Sequence, residues 1–350
     1  MFHTLTSILL LCSSLLLLSF SSAQAQKSLD SAKAKADTTE ARTLLLQMNQ
    51  HINFGIGYSQ ALDKGIESKR LFTGVIGEKN CIVGYLTRQI GMLLVRLNRF
   101  HEAIDTLNDA LLVYDNLQCG KRSHKATVYH NLSLAYWNSG DLGKSLTSAQ
   151  MSIHLDSIAF GTARHETMVS SYNNLGDIQS QLGHFQEALN SNRLAEEVLK
   201  ETNAKDKETL GEIYYNRGVI YMRVGQLEEA DTYFQKAIKL LNKASLEGKV
   251  NMGMVLLGRA YYFMQKGDFE KSLKFGLRAI SKIEKGGGDR TTDYAIAYNT
   301  VGTAHRLLGN YGVAEEYIVK ALQLIQHYPN KKKYYLHHVY NSLGMLAMDR

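Results

Sequence analysis

The sequence predicts an all-α fold, a right-handed α-solenoid of stacked antiparallel helical hairpins. Three observations carry this prediction: small residues that recur every 42 positions, apolar side chains at helical spacing around them, and a single proline in 350 residues. With 45% hydrophobic and 21% charged residues the composition is globular, which excludes a disordered chain. One proline excludes collagen-like and proline-rich classes. A net charge of +7 is mild over this length; it favours acidic partners slightly and does not imply nucleic acid.

Residues 1–25 read as a secretory signal peptide. No Asp, Glu, Lys or Arg occurs from Met1 to Gln26, and leucine dominates from Leu5 to Leu18. Ser21-Ser22-Ala23 and Ala23-Gln24-Ala25 both place small residues where signal peptidase cuts. The n-region carries only the amino terminus and His3, so an uncleaved membrane anchor is the alternative, set against an apolar stretch short for spanning. Cys12 follows Leu9-Leu10-Leu11 rather than the small residues of a lipoprotein site. After cleavage no stretch approaches the roughly 18 uncharged apolar residues of a stable membrane span. The mature chain is therefore expected to be exported, periplasmic or secreted, in an oxidising compartment. Residues 26–41, charged and rich in Ala, Ser and Thr, are expected to form a mobile linker.

From residue 42 to 350 the chain repeats. Tyr172-Asn-Asn-Leu-Gly176, Tyr214-Tyr-Asn-Arg-Gly218, Tyr298-Asn-Thr-Val-Gly302 and Tyr340-Asn-Ser-Leu-Gly344 are one motif. Its small residue falls at Gly91, Ser133, Gly176, Gly218, Ala260, Gly302 and Gly344, in steps of 42 with one of 43. Seven residues further on stand Asn98, Gly140, Gly183, Gly225, Gly267 and Gly309, where helix A of each hairpin is expected to stop in a left-handed conformation. Small residues also recur at Ala103, Ser145, Ala188, Ala230, Ser272 and Ala314, and again at Ala110, Ser152, Ala195, Ala237, Ala279 and Ala321. Such positions let two antiparallel helices approach closely, and each hairpin's apolar face waits for the next hairpin to cover it.

In a frame that starts at 126, 169, 211 and 295, this pattern resembles the tetratricopeptide repeat. The small residue is at position 8, Tyr136, Tyr221 and Phe263 stand at 11, Gly at 15, and Ala at 20 and 27. Tyr129, Tyr172, Tyr214, Tyr298 and Tyr340 occupy the place where that family often has Trp. The family's helix-ending Pro at position 32 is missing and the step is 42 rather than 34, as in kinesin light chains and many exported bacterial repeat proteins. Units are expected near 42–75, 84–117, 126–159, 169–202, 211–244, 253–286 and 295–328, with a final unpaired or capping helix at 337–350.

Chemistry is sparse. No HExxH, Cys/His metal spacing, phosphate loop or nucleophile elbow is present, and no metal or other cofactor is expected. His337-His338 point about 100° apart on a helix, and Lys331-Lys-Lys333 and Gly286-Gly-Gly288 read as inter-repeat connections. Hairpin geometry places Cys81 opposite about residue 116, one turn from Cys119; a disulfide and a pair of unlinked thiols are the two readings.

The resemblance implies a ligand on the concave, helix-A side. Its peptide-contacting positions carry Arg88, Arg96, His130, Asn131, Trp137, Asn173, Asn174, Tyr215, Asn216, Arg223, Asn299, Arg306 and Asn341. Asn offers both donor and acceptor to an extended backbone, and Arg grips carboxylates. The expected function is a non-catalytic scaffold or adaptor for a protein or extended peptide, with no nucleic-acid partner. The alternative is the sensory or scaffolding part of a larger signalling or protease-like protein whose catalytic module lies elsewhere.

Overall fold

The computed structural model describes residues 32–54, 57–117, 122–203, 205–241, 246–286, 291–326 and 333–350. Fifteen α-helices and no strand occur among the described residues: α1 Ala32–Phe54, α2 Tyr58–Ile76, α3 Cys81–Arg96, α4 Phe100–Asn116, α5 Arg122–Ser139, α6 Leu142–Phe160, α7 Met168–Gln181, α8 Phe185–Asn203, α9 Lys207–Val224, α10 Leu227–Leu241, α11 Leu246–Gln265, α12 Phe269–Gly286, α13 Thr291–Leu307, α14 Tyr311–Gln326 and α15 Lys333–Asp349. The signal-peptide reading falls on residues outside this description, as does Cys119. The chain divides into two compact units, Met1–Asn131 and Leu132–Arg350, with the division inside α5. In the first, α1 packs on α2 and α3 on α4; in the second, α7/α8, α9/α10, α11/α12 and α13/α14 are antiparallel hairpins and α15 packs on the last of them. This is an all-α solenoid of paired helices.

The helices stop where the backbone can turn left-handed. Asn98, Gly140, Gly183, Gly225, Gly267 and Gly309 all have positive φ, from 59° at Asn98 to 94° at Gly140. After each, the next amide donates back five residues, as His184 N does to Gln179 O at 2.9 Å and Gln226 N to Tyr221 O at 2.9 Å. The start of α1 differs from the sequence reading. Residues from Ala32 are helical rather than linker, because Ala32-Lys-Ala-Lys-Ala36 is strongly helix-forming and no Pro or Gly interrupts it.

The small residues set how closely helix B lies on helix A. A Cβ added to Gly176, Gly218 or Gly302 would stand 3.0, 3.1 and 3.0 Å from the carbonyl oxygens of Ala188, Ala230 and Ala314. In the hairpin before them serines replace both residues, and Ser145 Oγ donates to Ser133 O at 2.8 Å. Ala188, Ala195, Ala230, Ala237, Ala314 and Ala321 are fully buried, and Phe234 packs in one core cluster with Ala230 and Ala237.

Hairpins join through apolar packing and one repeated polar clasp. Arg217 Nη1 pairs with Glu196 Oε2 at 2.6 Å while its Nε donates to Asn192 Oδ1 at 2.7 Å. Asn192, fully buried, donates to Asn173 Oδ1 and to Ile213 O, both at 3.0 Å. Glu196 also accepts from Tyr214 and Lys200. Burial raises its pKa, but Lys200, Arg217 and Tyr214 outweigh that and hold it below the ordinary carboxylate value. One repeat later Arg259 Nε pairs with Asp231 Oδ1 at 2.6 Å in the same manner.

Two outcomes follow. Gly176→Val forces a branched side chain against backbone and should lower stability by about 1–3 kcal/mol or more, whereas Gly344→Ala, at the same frame position but with nothing within 4 Å of its Cβ, should raise it by about 0.5–1 kcal/mol. Denaturant melts of the two variants measure both signs. Arg217→Ala leaves Glu196 buried beside one fewer cation and should cost about 3 kcal/mol, while the Arg217→Met/Glu196→Leu pair recovers most of it; the melting midpoints compare them.

Candidate functional site

In the second unit each A helix touches the next: α7 meets α9, α9 meets α11, α11 meets α13 and α13 meets α15. The A helices therefore share one continuous side of that unit, and the predicted ligand residues divide between its seams and its surface. Several bridge neighbouring A helices. Asn174 Nδ2 donates to Ser133 Oγ at 2.5 Å, Arg223 Nη1 to Ser180 Oγ at 3.2 Å, and Arg306 Nη1 pairs with Asp349. Asn173, which is buried, accepts from Asn192 and reaches Glu212 Oε1 at 3.4 Å. These side chains hold one repeat against the next.

Trp137 packs against Ala149, Leu175 and Ile178, so its ring lies between hairpins. The Tyr215 ring sits 6.2 Å from that of Phe234 at the edge of the core. Asn216 is half-buried, Arg223 and Asn341 are exposed, and Asn299 is half-buried with its Oδ1 enclosed and without a hydrogen-bond partner. His305 Nδ1 and Arg306 Nε on the same helix are likewise enclosed and unpaired. Helix α13 thus offers one acceptor and further polar atoms that no protein group satisfies.

Arg88, Arg96, His130 and Asn131 belong to the first unit. The Arg88 guanidinium lies 5.1 Å from the Tyr85 ring, and Asn131 Nδ2 donates to Thr127 O of its own helix at 2.8 Å. Burial, followed by the charge of exposed Arg96, pushes His130 down to about 4, so its imidazole is neutral at pH 7. Cys81 is disulfide-bonded.

The sequence reading passed over a second periodic set. In three successive hairpins a ring on helix B stacks on a ring of helix A: Tyr233 on Tyr221 at 5.5 Å, Phe275 on Phe263 at 5.3 Å, and Tyr317 on His305 at 5.6 Å. A cation lies over the first two pairs, Lys236 at 4.4 Å from the Tyr233 ring and Arg278 at 5.3 Å from Phe275, while beside the third Lys320 lies 4.4 Å from Tyr298, the ring next to Tyr317. The signal was present in the sequence as rings at 233, 275 and 317 and cations at 236, 278 and 320, each 42 apart. Among the described residues no group of three or more His, Cys, Asp or Glu is placed to hold a metal ion. No helix among them is long and apolar enough to cross a membrane.

Comparison with known proteins agrees with this architecture. Family models for the tetratricopeptide repeat match residues 169–197, 211–241 and 251–327. The chain matches no curated protein. Among solved structures it is similar to the apo form of RapI at 12% identity and a TM-score of 0.63, covering 82% of this chain and 98% of that one. NprR in complex with its cognate peptide NprX matches at 14% identity and 0.61, covering 89% and 83%. A tetratricopeptide repeat protein from Parabacteroides merdae matches at 14% and 0.55, covering 87% and 99%. At these identities the likeness concerns the fold. With the family's motif matched at 169–197, 211–241 and 251–327 and the hairpins there stacked at a regular step, the second unit is built of tetratricopeptide repeats.

Proposed function

We propose that the chain is a non-catalytic scaffold that binds a protein or extended peptide along the helix-A side of its second unit, favouring acidic segments. The observation that carries this reading is the set of polar A-helix side chains that reach the surface of this unit, half-buried Asn216 and Asn299 and exposed Arg223 and Asn341. An amide that both gives and accepts suits a peptide backbone, and the guanidinium of Arg223 suits a carboxylate. The fold supports it further: the NprR structure, similar in architecture, is a complex with a peptide.

The test is affinity capture from native extracytoplasmic extract with the mature chain and with an Asn216→Ala/Arg223→Ala/Asn299→Ala variant of equal helicity. A partner held by the parent and lost by the variant is the expected result. Equal capture by both moves the site off this face.

We also propose export with cleavage after Ala23 or Ala25, and Cys119 as the partner of Cys81. The support is the α3/α4 hairpin, in which a Cβ on Gly84 would meet Val113 Cγ1 at 2.8 Å; Cys81 stands three residues before Gly84, and Cys119 follows the end of α4 at Asn116 by three residues of sequence. Intact mass of the secreted protein should begin at Gln24 or Gln26 and rise by about 2 Da on reduction. The closed loop is of a length expected to stabilise the fold by roughly 4 kcal/mol, so reduction should lower the melting midpoint of the first unit. A mass unchanged by reductant removes the pairing, and a mass starting at Met1 removes cleavage.

A further inference from the structure

The row of stacked rings begins at α9/α10 and does not extend into α7/α8, the hairpin just before it. In α7/α8 the positions equivalent to Tyr221 and Tyr233 are Gln179 and Ser191, and Ser191 Oγ donates to Gln179 Oε1 at 2.8 Å. The same two points of the hairpin that hold a ring pair in α9/α10, α11/α12 and α13/α14 here hold two small polar groups. A concavity of about 320 Å³ lies at this place, lined by Tyr172, Asn190, Ser191, Arg193, Leu194 and Glu197. An apolar cavity of roughly 150 Å³ already accommodates a benzene ring, so the space admits a phenyl or phenol side chain.

The neighbouring repeats show what fits. Tyr172 is the counterpart of Tyr214 and Tyr298, whose rings lie 5.7 Å from Tyr233 and 6.0 Å from Tyr317. In α7/α8 the partner ring is replaced by the hydroxymethyl of Ser191. In α9/α10 and α11/α12 a cation covers the ring, Lys236 over Tyr233 and Arg278 over Phe275; here the exposed Arg193 stands on the rim, held only by a 3.9 Å contact to Glu197. Leu194, half-buried, supplies an apolar wall. We infer that this notch is a docking site for one aromatic side chain, tyrosine or phenylalanine, of a protein partner, which takes the place that Tyr233, Phe275 and Tyr317 fill in the following repeats. The residues differ from those of the helix-A face, and the inference does not rest on peptide binding there.

The test titrates the full mature chain, methyl-labelled at leucine, with p-cresol, with N-acetyl-Gly-Gly-Tyr-Gly-Gly-amide and with its Leu counterpart, following the Leu194 methyl signals by NMR. Saturable shifts are expected with p-cresol and the Tyr peptide and not with the Leu peptide. Ser191→Tyr, which supplies the ring from within, should weaken both bindings by about tenfold or more while leaving the circular dichroism spectrum unchanged. Absence of a saturable shift in the parent protein overturns the proposal whatever the variant does. So does unchanged binding in a folded Ser191→Tyr protein. Binding of p-cresol without the Tyr peptide overturns a protein partner in favour of a small phenol.

Discussion

The contact on which the second unit depends is the one between a glycine on helix A and the carbonyl oxygen of an alanine on helix B. At Gly176, Gly218 and Gly302 that oxygen already occupies the contact distance of a missing Cβ, 3.0 to 3.1 Å away. Helices this close have no room for a larger residue at the crossing, so their axes are fixed and the larger side chains must fill the flanks. Tyr, Phe and Leu side chains do this above and below the crossing, and the hairpin becomes a rigid brick. Everything between bricks then has a fixed geometry to work from.

What lies between them is of two kinds. Apolar side chains cover most of each hairpin's exposed face, as in the cluster from Phe234 to Val301. Charged and amide side chains thread through that packing at the Arg217–Glu196–Asn192 and Arg259–Asp231 clasps. Apolar packing tolerates sliding, whereas a buried guanidinium with defined acceptors does not. The clasps fix the angle of one hairpin on the next, and so determine which A-helix side chains reach the shared surface and which remain in the seams.

Much of this was legible in the sequence. The left-handed helix ends at Asn98 and the five glycines, the antiparallel pairing, and the 42-residue step all followed from small residues at fixed phase, because steric exclusion leaves few residue types at such points. The binding residues were harder to read. Asn174 and Asn216 hold the same frame position, yet Asn174 bonds to Ser133 while Asn216 is a half-buried surface residue; the difference lies in the neighbouring helix, which a single repeat does not encode. Arg217 carries no sign of burial in its own repeat, since its burial arises only when Glu196 and Asn192 of the preceding hairpin come against it. The helical start at Ala32 was missed because charge and small residues suggest a tether as readily as a helix.

The seam after α12 lacks the clasp. Where α9 and α11 carry Arg217 and Arg259, α13 carries Val301, whose methyl lies 2.8 Å from where a Cβ on Gly276 would be. A seam of methyl against bare backbone resists separation but has no directional bond to resist rotation at that point. Leu175 holds the same frame position on α7, so the two clasped seams are flanked on either side by a seam that is apolar at that point, and twist along the unit is resisted most directly in its middle.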